Sequence, residues 1–238
     1  MIKITFSDWL RESLQFIGRG PVVWFGCCLV IGLLMPLGHL SLALGVLVSV
    51  GSLFVGVGVA KYIDLKYRAD DPVALSWAIK KSLPLAILAA GSLVFCWGLF
   101  RTIAGIAAGD WQNIAKFFFD WEFTPENLQR QTTRELAIWL FGYANVALIF
   151  CLLMMNSFAS WFSYPLMLFR NYGWSAAKEE GRAALSECSN AFYKMQGFIF
   201  LQALLCLSVT PLLTPVLYML TSTMMYVSYQ SLFGARSK

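Results

Sequence analysis

From Pro21 to Ile63 the chain carries one charged residue, Lys61, and no water-soluble fold of this size hides so long an apolar run. A helix rises about 1.5 Å per residue, so about 20 apolar residues cross a hydrocarbon core of about 30 Å. Pro21 to Ile63 is too long for one crossing and must turn back. Met35-Pro36-Leu37-Gly38-His39 supplies the break, because proline and glycine are poor helix formers and a polar tip suits the headgroup layer. The rest of the sequence repeats the pattern, and the composition agrees: 58% of residues are hydrophobic, 13% are charged and the mean hydropathy is +0.65.

Six spans are predicted: about 21–37, 40–63, 83–100, 136–160, 195–210 and 216–233. Pro165 kinks or ends the apolar run that carries the fourth. Thr210-Pro211-Leu212-Leu213-Thr214-Pro215 joins the last two through a second tight, proline-containing turn. The expected fold class is therefore all-α: a polytopic transmembrane helical bundle of six spans with interfacial amphipathic helices, forming one integral membrane domain over residues 1–238.

Lys and Arg beside a span resist translocation and collect on the cytoplasmic side. With the N-terminus inside, 14 of the 18 basic residues fall on the inner face, and only Arg101, Lys116, Arg130 and Arg134 fall outside. Both termini are then expected to be cytoplasmic. The net charge of +5 and pI of about 8.9 need no nucleic acid as a partner; they express topology and attraction to membrane lipids with anionic headgroups. Met1 to Arg19 contains Asp8 and Glu12 and lacks the basic start and cleavage site of a signal peptide, so the first span is expected to stay as an anchor.

Three connectors read as inner-face helices. Around Ser7 to Ile17, Trp9, Leu10, Ser13, Leu14 and Ile17 share one face. Asp71 and Pro72 suit the cap and first turn of a helix over Val73 to Lys81, and a third helix covers Ser175 to Tyr193. The order of surface helix, apolar run and proline from Ser13 to Leu37 repeats from Ser186 to Leu212, a weak internal repeat that composition alone can also produce. On the outer side, Trp111, Ile114, Phe117, Phe118 and Trp121 recur at helical spacing, with Asp110, Lys116 and Asp120 expected toward water. Thr124-Pro125-Glu126-Asn127 follows as a turn or the start of a further helix.

The stretch Asn171-Tyr172-Gly173-Trp174-Ser175-Ala176-Ala177, continuing through Ser186 and Asn190 to Tyr226-Val227-Ser228-Tyr229-Gln230-Ser231-Leu232-Phe233, resembles the C-terminal half of uncharacterised bacterial six-span inner-membrane proteins. In pattern these relate to the YciC and glycerophosphodiesterase membrane-domain groups. The resemblance implies a bacterial inner-membrane location and no assigned activity, and it transfers no catalytic residue.

The residues give little support to an enzyme. His39 is the only histidine, so histidine-pair metal sites and histidine-based triads lack their parts, and no cofactor is expected. Asp70-Asp71 reads as a helix cap. The six cysteines show neither a disulfide framework nor zinc-ligand spacing. Polar groups within spans are the default functional candidates, and here they are Arg101, Asn145, Asn156 and Gln202, with Gln196 near the start of the fifth span. Arg101 either snorkels to the interface or holds an anionic headgroup or substrate; the amides either join helices or line a path. Gly45 and Ser49, then Ser52 and Gly56, are spaced four apart and form a small-residue face for helix packing, within the chain or against another membrane protein or a second copy. Two functions stand: a non-enzymatic scaffold, accessory or lipid-interacting component of a membrane complex, or a transporter or permease component for an uncharged or amphipathic solute.

Overall fold

The computed structural model describes residues 5–68, 74–120 and 132–234, and every regular element among them is helical. Ten α-helices follow in chain order: α1 (Phe6–Ile17), α2 (Pro21–Leu34), α3 (Leu42–Arg68), α4 (Leu75–Ala108), α5 (Trp111–Phe118), α6 (Thr133–Phe158), α7 (Ser163–Arg170), α8 (Trp174–Glu187), α9 (Ser189–Ser208) and α10 (Thr214–Tyr229). The Asp70-Asp71-Pro72 cap, Trp121 and the Thr124 to Asn127 turn lie outside the described residues. The all-α bundle expected from the apolar runs is the architecture observed. Among the described residues, five helical segments are long and apolar enough to cross a membrane: Pro21–His39, Leu42–Tyr67, Leu75–Ala108, Thr133–Phe158 and Ser189–Ser208.

The sixth apolar run behaves differently. α10 has 16 α-helical residues and continues as a π turn over Gln230–Gly234. Only Val216 and Leu220 along it escape full burial, because α1, α2, α3, α6 and α9 pack around it. A helix walled by protein can carry hydroxyls that a lipid-facing helix cannot, and Thr214, Thr221, Ser222, Thr223 and Ser228 are all fully buried here. The other helices show lipid-type faces. Leu29 and Leu33 on α2, Leu88, Phe95 and Ile103 on α4, and Leu201 on α9 are more than half exposed. In water such an apolar belt would drive aggregation; in hydrocarbon it costs nothing.

Two proline-bearing 3-10 turns, Met35–His39 and Pro211–Leu213, reverse the chain after α2 and after α9 at the face opposite α1. Pro165 sits inside α7, after the chain has broken between Phe158 and Ser163, so the fourth span ends before the proline. The helix expected over Val73 to Lys81, leading into the third span, is seen from Leu75 on. It is continuous with the third span in α4, whose 34 residues make a rod of about 51 Å, well beyond the apolar core of the bilayer. Pro84 lies inside that rod without ending it. Gly109 ends α4 with φ 69°, a left-handed conformation glycine adopts without strain, and the Asp110 N–H bonds back to the Gly105 carbonyl at 2.9 Å. This sharp reversal sends α5 back along α4.

Close helix contacts follow the small residues. α3 and α4 form a broad interface, where Gly58 faces Ser82 and fully buried Ala86 and Ala90 line the α4 side. A methyl group added at Gly56 would stand 2.5 Å from the Ser222 hydroxyl on α10, and one at Gly45 would stand 2.5 Å from the Gly38 Cα.

α1 is anchored more firmly than a helix floating in the interface. Its N-terminus is closed by a capping box in which Thr5 and Asp8 satisfy each other's backbone N–H groups. Those Thr5 hydrogen bonds hold the Asp8 carboxyl below the usual carboxylate range. The buried face consists of Trp9, Ser13 and Phe16, while Leu14, expected inside, is 55% exposed. The reason is a specific neighbour: the Trp9 indole N–H donates to Ser231 at 2.8 Å and Phe16 packs on Tyr226, both from the end of α10.

Candidate functional site

Tryptophans hold α10 in its place. The indole N–H of Trp24 on α2 donates to Thr223 at 3.0 Å, and that of Trp161 in the α6–α7 link donates to Ser228 at 3.0 Å. Together with Trp9 and Ser231, three indoles from three segments contact one strip of hydroxyls. The remaining hydroxyls are satisfied by carbonyls, as buried polar groups in an apolar setting must be: Ser222 donates to Leu53 of α3 at 2.7 Å, and Tyr218 donates to Ala144 of α6 at 2.6 Å.

At the α1 face the same helix end carries a charge network. Asp64, only 3% exposed, sits beside Arg19 at 3.2 Å and accepts from the Tyr226 hydroxyl at 2.9 Å. Gln230 in turn donates to Tyr226 at 2.7 Å. From sequence Asp64 counts as a terminal acid. It is buried because Arg19, in the α1–α2 link, and Tyr226 of α10 close over it. Nearby, Arg170 donates to the Phe233 carbonyl at 2.8 Å and lies 3.8 Å from Glu180, tying α7, α8 and the π turn together. Lys61 stands over the Phe169 ring, 4.5 Å from its centre.

The four polar candidates of the spans do not converge on one space. Asn145 is fully buried on α6, where its amide N–H group donates to Thr214 of α10 at 2.9 Å and its carbonyl oxygen has no partner. Asn156 and Gln196 exchange two hydrogen bonds of 2.7 and 2.8 Å between α6 and α9 on an exposed surface. Gln202 is half-buried on α9, and Arg101 is half-buried near the far end of α4. Both asparagines thus join helices, as hydrogen-bonded amides in a bilayer commonly do.

Among the small residues, Gly45 is buried against Gly38 and Tyr143, and Gly56 against Ser222. Ser49 is fully buried with its hydroxyl 3.4 Å from that of Tyr143, which itself donates to the Met35 carbonyl. Ser52 is half-buried. The glycines and Ser49 are occupied by the chain's own helices, which leaves them no surface for a second copy.

Among the described residues, two spaces are roomy enough for a ligand. The first, of about 410 Å³, is a cleft between α4 and the α6–α7 corner, floored by Phe54 and walled by Leu88, Ser92, Met155, Met167 and Phe158. Its lining is apolar apart from Ser92, Ser160, Ser163 and the Tyr164 hydroxyl, and the buried Ser163 hydroxyl has no hydrogen-bond partner. Trp174 stands at the α1-face end of the cleft, and Arg182 reaches the carbonyls of Ser157 and Ala159 beside it, at 3.2 and 3.4 Å. The second space, of about 200 Å³, lies at the opposite face between the Met35–His39 turn, α4 and α5, and mixes apolar residues with Arg101, Lys116 and Asp120. Among the described residues no cluster of His, Cys, Asp and Glu is placed to hold a metal ion.

Burial, with the neighbouring Glu187 charge, pushes the Cys188 thiol up to about 11, so it is neutral at physiological pH. None of the cysteines is paired in a disulfide.

Comparison with family models, with curated proteins and with solved structures finds no match to this chain. Its own helices, five of them of spanning length and apolar on their outward faces, make it a helical membrane protein.

Proposed function

We propose that the protein is a non-enzymatic, lipid-interacting component of a bacterial inner membrane, with both termini cytoplasmic, that binds the acyl chain of a membrane lipid in the cleft between α4 and the α6–α7 corner. The cleft carries this reading. It opens sideways at a depth where α4 and α6 present lipid-exposed residues such as Leu88 and Phe158, so the medium that meets it is hydrocarbon. An apolar space of about 410 Å³ does not hold ordered water, and left empty it forfeits the dispersion contacts of its whole lining. An acyl chain restores those contacts. Trp174 at one end suits the headgroup boundary. The resemblance to six-span inner-membrane proteins without assigned activity, and the crowding of basic residues onto one predicted face, support the location. The scaffold role belongs to the same reading: a lipid-filled flank and the α8 surface are what a partner in the membrane would meet.

The test is lipid retention. Protein purified in mild detergent should carry about one phospholipid per chain by native mass spectrometry, and Ala89→Trp with Ser92→Phe should abolish that retention while the elution profile stays monodisperse. Photoreactive acyl chains should crosslink to Met154, Met155 or Met167. Unchanged retention in the filled variant, with labels spread evenly around the bundle, would overturn the reading.

A further inference from the structure

We infer that the polar pocket at the face opposite α1 is a binding site for a phosphate ester, with Arg101 and Lys116 as the anion-binding pair and Asp120 as acceptor for a cationic or hydroxylic substituent on the same ligand. The site is separate from the acyl-chain cleft and stands without it.

The pocket exists because of the reversal at Gly109. α5 returns along α4, with Ile114 against Gly105 and Phe117 against Gly98, and Phe117 is buried beside the Trp97 ring. A lone interfacial helix would turn Lys116 and Asp120 toward open water, as the sequence suggests. Folded back, α5 brings both to the rim of a space of about 200 Å³ whose floor includes Arg101, His39 and Tyr143. His39 is held in place by stacking on Trp139, with ring centres 3.7 Å apart, and Tyr143 is committed to the Met35 carbonyl. The scaffold of the pocket is therefore fixed by contacts that do not involve the two cations.

The cations themselves are uncommitted. Among the described residues neither Arg101 nor Lys116 has a carboxylate within ion-pair distance, and Asp120 is likewise unpaired although it lines the same space. Arg101 is half-buried on α4 seven residues before Ala108, about 10 Å from the end of the rod. A half-buried guanidinium with no carboxylate beside it among the described residues has donors to offer, and a phosphate oxygen pair matches its planar fork. Lys116 adds a second positive charge from the other wall. With one carboxylate against two cations, the pocket favours an anion that also carries a donor group, which describes a zwitterionic or hydroxylated phosphodiester. Two sources share this chemistry: a phospholipid headgroup in the adjoining leaflet, and a water-soluble phosphate ester.

The experiment uses the full chain in mild detergent. Binding is measured by microscale thermophoresis with short-chain phosphatidylethanolamine, phosphatidylglycerol and a diacylglycerol lacking phosphate, and separately with sn-glycerol 3-phosphate and inorganic phosphate. Both phospholipids should bind, and R101Q combined with K116Q should weaken them at least tenfold, with little change for diacylglycerol. D120N should weaken phosphatidylethanolamine more than sn-glycerol 3-phosphate, since only the former presents an ammonium group. K116Q alone alters an exposed side chain, so it keeps the test valid if the double variant unfolds; it should weaken phospholipid at least threefold. Tight binding of the soluble esters, lost in the same variants, supports the site and assigns its ligand to the aqueous phase; binding confined to the phospholipids assigns it to the bilayer. Equal binding of phospholipid and diacylglycerol, or affinities unmoved by K116Q and the double variant, overturns the inference. The Ala89→Trp and Ser92→Phe cleft variant should leave soluble-ester binding unchanged, which separates failure of this site from failure of the acyl-chain cleft.

Discussion

The Tyr226 hydroxyl of α10 donates to the Asp64 carboxylate of α3 at 2.9 Å, in a network that also holds Arg19 and Gln230. A carboxylate this well buried is tolerable only while cation and donor both remain. Arg19→Met removes the cation and should destabilise the fold by about 3 kcal/mol, somewhat reduced because Arg19 itself touches solvent. Tyr226→Phe removes one donor and should cost about 1–2 kcal/mol. Unfolding midpoints in mixed detergent and dodecyl sulfate micelles should rank the arginine variant below the tyrosine variant, and both below the parent.

Glycines of one chain should separate into two classes. Gly56→Ala and Gly45→Ala place a methyl 2.5 Å from a neighbour, on Ser222 and on the backbone of Gly38 respectively. Each should cost about 1–3 kcal/mol, the Gly45 change more because backbone cannot rotate away. Gly26→Ala and Gly91→Ala meet nothing within 4 Å and should be neutral or slightly stabilising through helix propensity. The same micelle unfolding assay distinguishes the classes.

Removing one indole N–H while keeping an aromatic ring isolates the role of the tryptophan contacts. Trp161→Phe leaves the buried Ser228 hydroxyl without the indole donor it accepts from and should cost about 2 kcal/mol from the lost bond and the lost ring volume together. The paired change Trp161→Phe with Ser228→Ala should cost less than the sum of the two single changes. A double-mutant cycle returning strict additivity would rule out the contact as an energetic unit.

Cys188 makes a pH-dependent prediction outside the spans. Its thiol is raised to about 11 by burial first and by the Glu187 charge second, so at pH 8 only about a thousandth is thiolate. Maleimide labelling of Cys188 should be slow at pH 8 and should rise about tenfold per pH unit until the thiol titrates. A cysteine introduced at exposed Ser186 should label rapidly at pH 8. Equal rates at the two positions would contradict the burial of Cys188.

Much of this arrangement was legible in the residues, and the limits have physical causes. Hydropathy located the helices because solvent identity dominates every other energy in a bilayer, and Gly45 and Gly56 stand where neighbouring groups come so close that only a glycine fits without a shift. Asp64 is terminal, four residues from the end of α3, but its burial is not written in the local pattern, because the groups that cover it, Arg19 and Tyr226, come from distant parts of the chain. The hydroxyls of Thr221, Ser222 and Thr223 gave no sign that α10 is central, because a buried hydroxyl bonded to its own helix has the same local pattern as one facing water. Lys116 reads as a surface charge until Gly109 reverses the chain and carries it back to Arg101.

α10 is packed by α1, α2, α3, α6 and α9 and follows all of them in the chain, so the position it takes in the bundle is not yet filled by it when those helices are made. Until Thr214 to Tyr229 emerges, Trp24 and Trp161 have no acceptors on α10, and the slot they border is filled by lipid or stays collapsed. Docking of α10 is therefore a displacement event at the centre of the bundle, and any factor that guards half-made membrane proteins would find its substrate in that interval.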